Sequence, residues 1–388
     1  MIIHQLFFLT SLFLQRVFAN ENKQPKSTNL ELNIKVYNSQ SYPNLHENEL
    51  EGVIIPFKEG KNGHYIMMKV GTPEKLIKTK LDTQVNFTWI VDAMCVYCSD
   101  SFGMPRVYKS FESVDYMIKE YVFCRPNDVS CIYGNYASEK FKIGYKNMTM
   151  DFLNVVSRSK KVEQSCYVGE RKVYMDYFGG IDYGFYGTDY NGVLGLGQRV
   201  NELRNDAPFF RRENSIIDYL YPKKVITVDL RENKKRMSLG FENTQDTTEN
   251  ILWVKTKPNS FKFDLKYIKI GDETFDLNET EAVVNPKYEN TFIYNEFVRP
   301  ILVQATGMFF RCIDFKDIPP IVIGVEGGTI EINPGSYLKP GLLSCNSDIV
   351  SIGNNIEESK NTWVFGETIL KEYATIYDYE NGRIGFAK

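Results

Sequence analysis

The sequence predicts an all-β protein made of two similar halves with a cleft between them. Three observations carry that expectation. Short runs of β-branched and aromatic residues recur at near-regular spacing through most of the chain. Aromatic residues are abundant, at 14% with 25 Tyr and 26 Phe, which suits pleated, half-buried surfaces. A divergent internal repeat divides the chain. Lys69-Val70-Gly71 precedes Asp82, as Lys269-Ile270-Gly271 precedes Asn285. Each half later carries an apolar-apolar-Gly trio, Val193-Leu194-Gly195 and Val364-Phe365-Gly366. Two halves that each offer one loop to a shared centre imply a pseudo-two-fold axis, and a cleft between lobes is a favoured place for ligands.

The elements follow in order. His64 to Val70 reads as a strand, and Gly71-Thr72-Pro73 as a turn, since Gly permits positive φ and Pro fixes its own. Leu76 to Leu81 is the next strand and delivers Asp82-Thr83 at its tip; Phe87 to Val91 follows. Ile132 to Tyr136 reads as a hairpin tip, and Phe141 to Tyr145 and Phe152 to Val156 as short strands. Residues 177–190, rich in Tyr and Gly, read as a loop. Ile216 to Tyr221, after Asn214 and Ser215 as N-caps, predicts a short helix. Brief strands are then expected at 225–230, 237–241, 251–256, 263–270, 321–325, 329–333, 373–379 and 383–387. A second helix is expected near 295–304, kinked or delayed by Pro300.

At 388 residues two domains are expected. The net charge of −3 points to neither nucleic acid nor an anionic membrane as partner. The three histidines, His4, His46 and His64, argue against His-rich metal sites and Ser-His or Cys-His machinery, so neither metal nor cofactor is expected.

Leu6 to Leu14 is an apolar run followed by Val17-Phe18-Ala19, the pattern of a cleaved secretory signal, although no Lys or Arg precedes it. The mature chain is therefore expected to be secreted or held in a secretory-pathway lumen, free of the membrane once the signal is removed, and a monomer. Residues 1–19 are read as signal and 20–58 as a polar leader or pro-segment. A first lobe over 59–222 and a second over 223–388 complete the division.

Seven Cys in an exported chain are expected to form disulfides, with the odd one unpaired or paired between chains, and Cys166 is chosen as the unpaired one. Cys95, Cys98, Cys124 and Cys131 have the wrong spacing for zinc, and their pairing stays open; Cys95 and Cys98 read as structural disulfide cysteines rather than a redox pair. Sequons stand at Asn86, Asn147 and Asn278. Asn147 and Asn278 lie in turn-like contexts suited to glycan, while Asn86 sits inside the central motif and is expected to be too buried.

Several pieces taken in order resemble the pepsin-like aspartic proteases, from about Tyr65 to Ala387. They are Tyr65…Val70-Gly71-Thr72-Pro73, Asp82-Thr83, Trp89, Tyr133-Gly134, and Asn191 to Gly197. In the second half they are Trp363 to Gly366, Tyr377-Asp378 and Ile384-Gly385-Phe386-Ala387. The resemblance implies two β-barrel lobes, a long peptide-binding cleft between them, and a flap hairpin on which Tyr133 would be the flap tyrosine. It also implies a disulfide between Cys312 and Cys345.

The family's chemistry needs two carboxylates that share one proton. One takes a proton from water and the other polarises the peptide carbonyl. Asp82 fits one place, but Asn285 falls at the other, and an amide has no titratable proton to exchange. The supporting positions depart as well. Gln84 stands where the family has Gly, and Val85 where it has a hydroxyl beside the aspartate. Pro286 stands for the Thr that would brace the loops beside Thr83, and Lys287 for Gly, where its ammonium could pair with Asp82. The expectation is a non-catalytic homologue that binds peptide or protein in or near the cleft. The alternative is an active aspartic endopeptidase working in acid. It would need a second carboxylate at the centre, and Glu281 and Glu289 are nearest in sequence. Asp82 could otherwise be an ordinary turn aspartate bonded to backbone N–H groups.

Overall fold

The computed structural model describes residues 52–61, 63–96, 108–123, 132–158, 165–168, 171–174, 190–198, 215–220, 222–243, 250–306, 318–340, 345–351 and 362–388. All belong to one compact unit, Val36–Lys388. The expected signal and the leader up to residue 51, and the loop expected over 177–190 except Tyr190, lie outside the described residues.

Strands dominate, as the alternating patterns require. In the first half a ten-stranded sheet surrounds Lys75–Asp82. That strand pairs antiparallel with Gly63–Val70 and parallel with Gly192–Gly195, placing Gly195 opposite Asp82. Gly192–Gly195 also pairs antiparallel with Thr88–Val96. The second half repeats this plan in a five-stranded sheet. There Glu281–Val284 runs parallel to Thr362–Phe365, which pairs antiparallel with Thr291–Ile293. The two apolar-apolar-Gly trios thus take equivalent places, each laid parallel to a strand that ends at the centre. The repeat reaches the turns too: Gly71 and Gly271 both have positive φ, 82° and 63°, a region that favours glycine.

A six-stranded antiparallel sheet joins the halves, in the order Val53–Pro56, Arg236–Leu239, Val225–Asp229, Ala374–Asp378, Arg383–Ala387 and Leu252–Lys255. Val53–Pro56 falls inside the stretch read as leader, yet it is paired residue for residue with Arg236–Leu239. Val53 and Ile55 are buried in the main core. One continuous core runs through both halves, with Trp363, Phe263, Phe365 and Tyr377 among its fully buried side chains.

Most expected strands occur within a residue or two of their predicted ends. The stretch 263–270 is two strands, Phe263–Asp264 and Tyr267–Ile270. The larger difference is at Ile132 to Tyr136, which begins a twelve-residue strand, Ile132–Ile143, rather than forming a hairpin tip. Its partner Lys146–Arg158 absorbs the short strand expected over Phe152 to Val156, whereas Phe141 to Ile143 end the first of the two strands and the turn falls at Gly144-Tyr145. Tyr-Gly marked a turn locally, but Gly134 sits in the strand because a side chain there would meet the Asn154 carbonyl at 2.1 Å. The helix expected at 216–221 is a single 3-10 turn, Ile216–Tyr219, with the Ser215 N–H donating to Asp218 Oδ2 at 2.8 Å. The second helix is Asn295–Thr306, with Pro300 inside it.

Candidate functional site

Asp82 ends its strand and lies buried, 2% exposed. Its carbonyl accepts from Leu196 N–H at 2.7 Å. The chain turns there because Gly195 admits the backbone of Phe87; a Cβ at 195 would sit 2.4 Å from the Phe87 oxygen. The second half is built the same way. Asn285, fully buried, donates its N–H to the Phe365 carbonyl at 2.8 Å. A Cβ on Gly366 would lie 2.2 Å from the Asn290 oxygen.

Each site residue folds a matching side-chain turn. Gln84 N–H donates to Asp82 Oδ1 at 2.9 Å, and Lys287 N–H donates to Asn285 Oδ1 at 3.1 Å. Asp82 therefore makes the ordinary turn bond expected of such a residue. The two side chains then meet across the centre: Asn285 Nδ2 donates to Asp82 Oδ1 at 2.8 Å and to Gln84 Oε1 at 3.0 Å. Two hydrogens on one amide nitrogen make two bonds, so Asn285 is satisfied from within the site. Lys287 Nζ lies 3.1 Å from Asp82 Oδ2 and 5.5 Å from the centre of the Tyr288 ring.

The brace between the loops is one-sided. Thr83 Oγ1 donates to the Val284 carbonyl at 2.6 Å. The opposite residue, Pro286, is buried and has no hydroxyl to return the contact. The same Val284 carbonyl instead accepts a second bond, from Tyr377 OH at 3.2 Å. Tyr377 belongs to the C-terminal motif Tyr377-Asp378, and its hydroxyl in the fully buried strand Ala374–Asp378 is the signal in the sequence for this contact.

Glu281 and Glu289 face lysines of their own half. Glu281 lies 3.8 Å from Lys257 and 3.6 Å from Lys262, and Glu289 lies 3.0 Å from Lys339. Among the described residues, the charged group paired with Asp82 is Lys287. The arrangement can hold an ion pair and a buried amide. Among the described residues it offers no second carboxylate with which Asp82 could share a proton.

Tyr133 lies in Ile132–Ile143 opposite Ser157, and its side chain is outside the described residues. Cys95 is buried and disulfide-bonded. Cys98, Cys124, Cys131 and Cys312 lie outside the described residues, as do the side chains of Cys166 and Cys345. Asn147 and Asn278 are exposed, and Asn86 is half-buried rather than buried. No group of three or more metal-ligating side chains occurs among the described residues. No described helix is long and apolar enough to cross a membrane.

A strand-rich bilobal chain whose paired loops meet at one aspartate has the architecture of a pepsin-type protein. Residues 63–388 match the eukaryotic aspartyl protease family model, and the chain belongs to that family. It is 21% identical to a cathepsin D of Dictyostelium discoideum over 356 residues, which cover 87% of this chain and 86% of that one. It is 22% identical to pepsin A-5 of Mus musculus over 339 residues, covering 83% and 80%. It is also 22% identical to pregnancy-associated glycoprotein 2 of Bos taurus over 361 residues, covering 88% and 87%.

Proposed function

We propose that this protein is a secreted, non-catalytic member of the aspartyl protease family that binds peptide or protein in or near its inter-lobe cleft. The observation that carries the reading is the closed set of contacts among Asp82, Asn285 and Lys287. Hydrolysis by this fold needs a shared proton between two carboxylates. Here the partner is an amide, and an ammonium occupies the oxygen to which a nucleophilic water would bond. General acid–base catalysis contributes about 10² to 10⁴-fold, and groups acting as one unit fail together. The cleft itself needs no dyad to bind a ligand, and the family binds peptide substrates there.

Export is supported by the apolar run Leu6 to Leu14, and glycosylation by the exposed sequon residues Asn147 and Asn278. The test is hydrolysis of denatured globin by the purified protein at about pH 3 to 5, with and without pepstatin. The expected result is no cleavage above background, together with saturable binding of members of a peptide library. Pepstatin-sensitive cleavage by the unaltered chain would overturn the reading.

A further inference from the structure

A second buried charge cluster lies one step along the chain from both site loops. Glu367 follows Gly366, whose neighbour Phe365 holds the Asn285 N–H. Lys80 stands two residues before Asp82 on the same strand, and so on the same face. The first half grips the Glu367 carboxylate from three sides. His64 N–H donates to Oε1 at 2.6 Å, His64 Nδ1 donates to Oε2 at 2.8 Å, and Lys80 Nζ lies 3.6 Å from Oε1. Because a carboxylate only accepts, Nδ1 carries the imidazole proton. All three side chains are buried: Glu367 and Lys80 are 1% exposed and His64 is 7%. Gly63 makes the grip possible. Its φ is +92°, and a Cβ there would lie 2.4 Å from Glu367 Oε1 and 2.9 Å from Lys80 Nζ.

Burying three ionisable groups is costly, and such a cluster is weak evidence for stability alone. What it supplies is orientation. It fixes the base of the Asp82 strand against the base of the loop that holds Asn285. The ionised Glu367 carboxylate supplies the negative charge that faces the Lys80 ammonium. His64 Nε2 is buried, with no hydrogen-bond partner among the described residues. Glu59 acts on the cluster from the strand Lys58–Gly60, but it is 71% exposed and tied to Lys235 at 3.2 Å. It can offset little of a buried charge.

We propose that His64, Lys80 and Glu367 form a proton-operated clasp between the two halves, closed while Glu367 is ionised and released in acid. Protonating Glu367 removes the anion that the His64 N–H groups and the Lys80 ammonium hold, and the halves lose their fixed register beside Asp82 and Asn285. Burial pushes the Glu367 carboxyl up, but the His64 hydrogen bond and the Lys80 ammonium outweigh it and hold the group below the usual carboxylate range. A carboxylate with a depressed folded pKa stabilises above its unfolded pKa, and that contribution is lost as pH falls through the folded value. Release therefore falls below the ordinary carboxylate range. This inference does not depend on whether the site is catalytic.

The test uses the full chain with a donor and an acceptor fluorophore on unnatural amino acids at the exposed positions Lys140 and Glu273. Energy transfer is followed from neutral pH into acid, alongside tryptophan emission. The wild type should hold one inter-half distance at neutral pH and shift reversibly in acid, below the ordinary carboxylate range, before the tryptophans report unfolding. E367Q should show the altered distance already at neutral pH. K80M/E367M, which removes both charges, should keep the native distance and lose the acid step. The proposal is overturned if E367Q keeps the wild-type distance and step, if the double variant keeps the step, or if the wild type shifts only when its tryptophan emission does. Should E367Q fail to fold, the double variant decides alone.

Discussion

Lys287 Nζ lies 3.1 Å from Oδ2 of Asp82, and the two ends of this pair are unequally buried: the lysine side chain is 14% exposed and the aspartate 3%. That inequality sets the order of two substitutions. K287M leaves a buried carboxylate without its cation, held by the Gln84 N–H and the Asn285 amide. D82N leaves an ammonium that can turn toward water. K287M should cost about 2 to 3 kcal/mol and D82N about 1 kcal/mol. Urea unfolding at neutral pH reads both. The reverse order would mean that the amide donors alone stabilise Asp82.

Restoring the second acid should not by itself restore hydrolysis. In N285D the new carboxylate meets Asp82 where Nδ2 now donates, but Lys287 still sits on Oδ2 and the altered loops remain. Acid cleavage of denatured globin should stay at background. Adding K287G removes the ammonium, and N285D/K287G should then rise above background, still about 10²-fold or more below a working enzyme, because Gln84 and Pro286 remain. Activity in N285D alone would show that Lys287 is no obstacle.

The repeat was legible because each part has a local cause. The Lys-Val/Ile-Gly echoes end strands at positive-φ glycines, and the apolar-apolar-Gly trios need glycine for close approach. The Asp82 and Asn285 loops could be paired by position, and the facing of Lys287 toward Asp82 was implied by the family resemblance, which sets Lys287 at a glycine of the central loop. What stayed hidden depended on contacts between distant segments. Glu367 meets His64 across 303 residues, and Tyr377 meets Val284 across 93. Neither leaves a periodic mark. Lys80 leaves no mark because a lysine in a strand ordinarily reads as solvent-facing, whereas tertiary charge pairing buries it here. Tyr133-Gly134 has the local look of a turn, and the packing of the Asn154 carbonyl against the glycine is what makes it strand.

The strand Val53–Pro56 bears on where a leader could be removed. A chain starting at Gly52 keeps its pairing with Arg236–Leu239 and should match the stability of the longer form. A chain starting at Lys58 loses that strand and uncovers Leu239. It also forfeits the burial of Val53 and Ile55, which are 3% and 1% exposed. Two such side chains contribute about 3 to 6 kcal/mol. Denaturant midpoints of the two truncations decide the matter, and equal midpoints would show the strand to be dispensable.

The Val284 carbonyl accepts from Thr83 Oγ1 at 2.6 Å and from Tyr377 OH at 3.2 Å. One donor comes from the first half and the other from the C-terminal strand. Either hydroxyl alone keeps the buried oxygen satisfied. T83V and Y377F should therefore each cost only about 1 kcal/mol, the net worth of one hydrogen bond. The double variant leaves the carbonyl with neither donor and adds a desolvation penalty of about 1 to 3 kcal/mol. The losses should thus exceed their sum by at least about 1 kcal/mol in a double-mutant cycle measured by urea unfolding. Strict additivity would mean that another donor reaches Val284, and that Tyr377 does not stand in for the hydroxyl missing at Pro286.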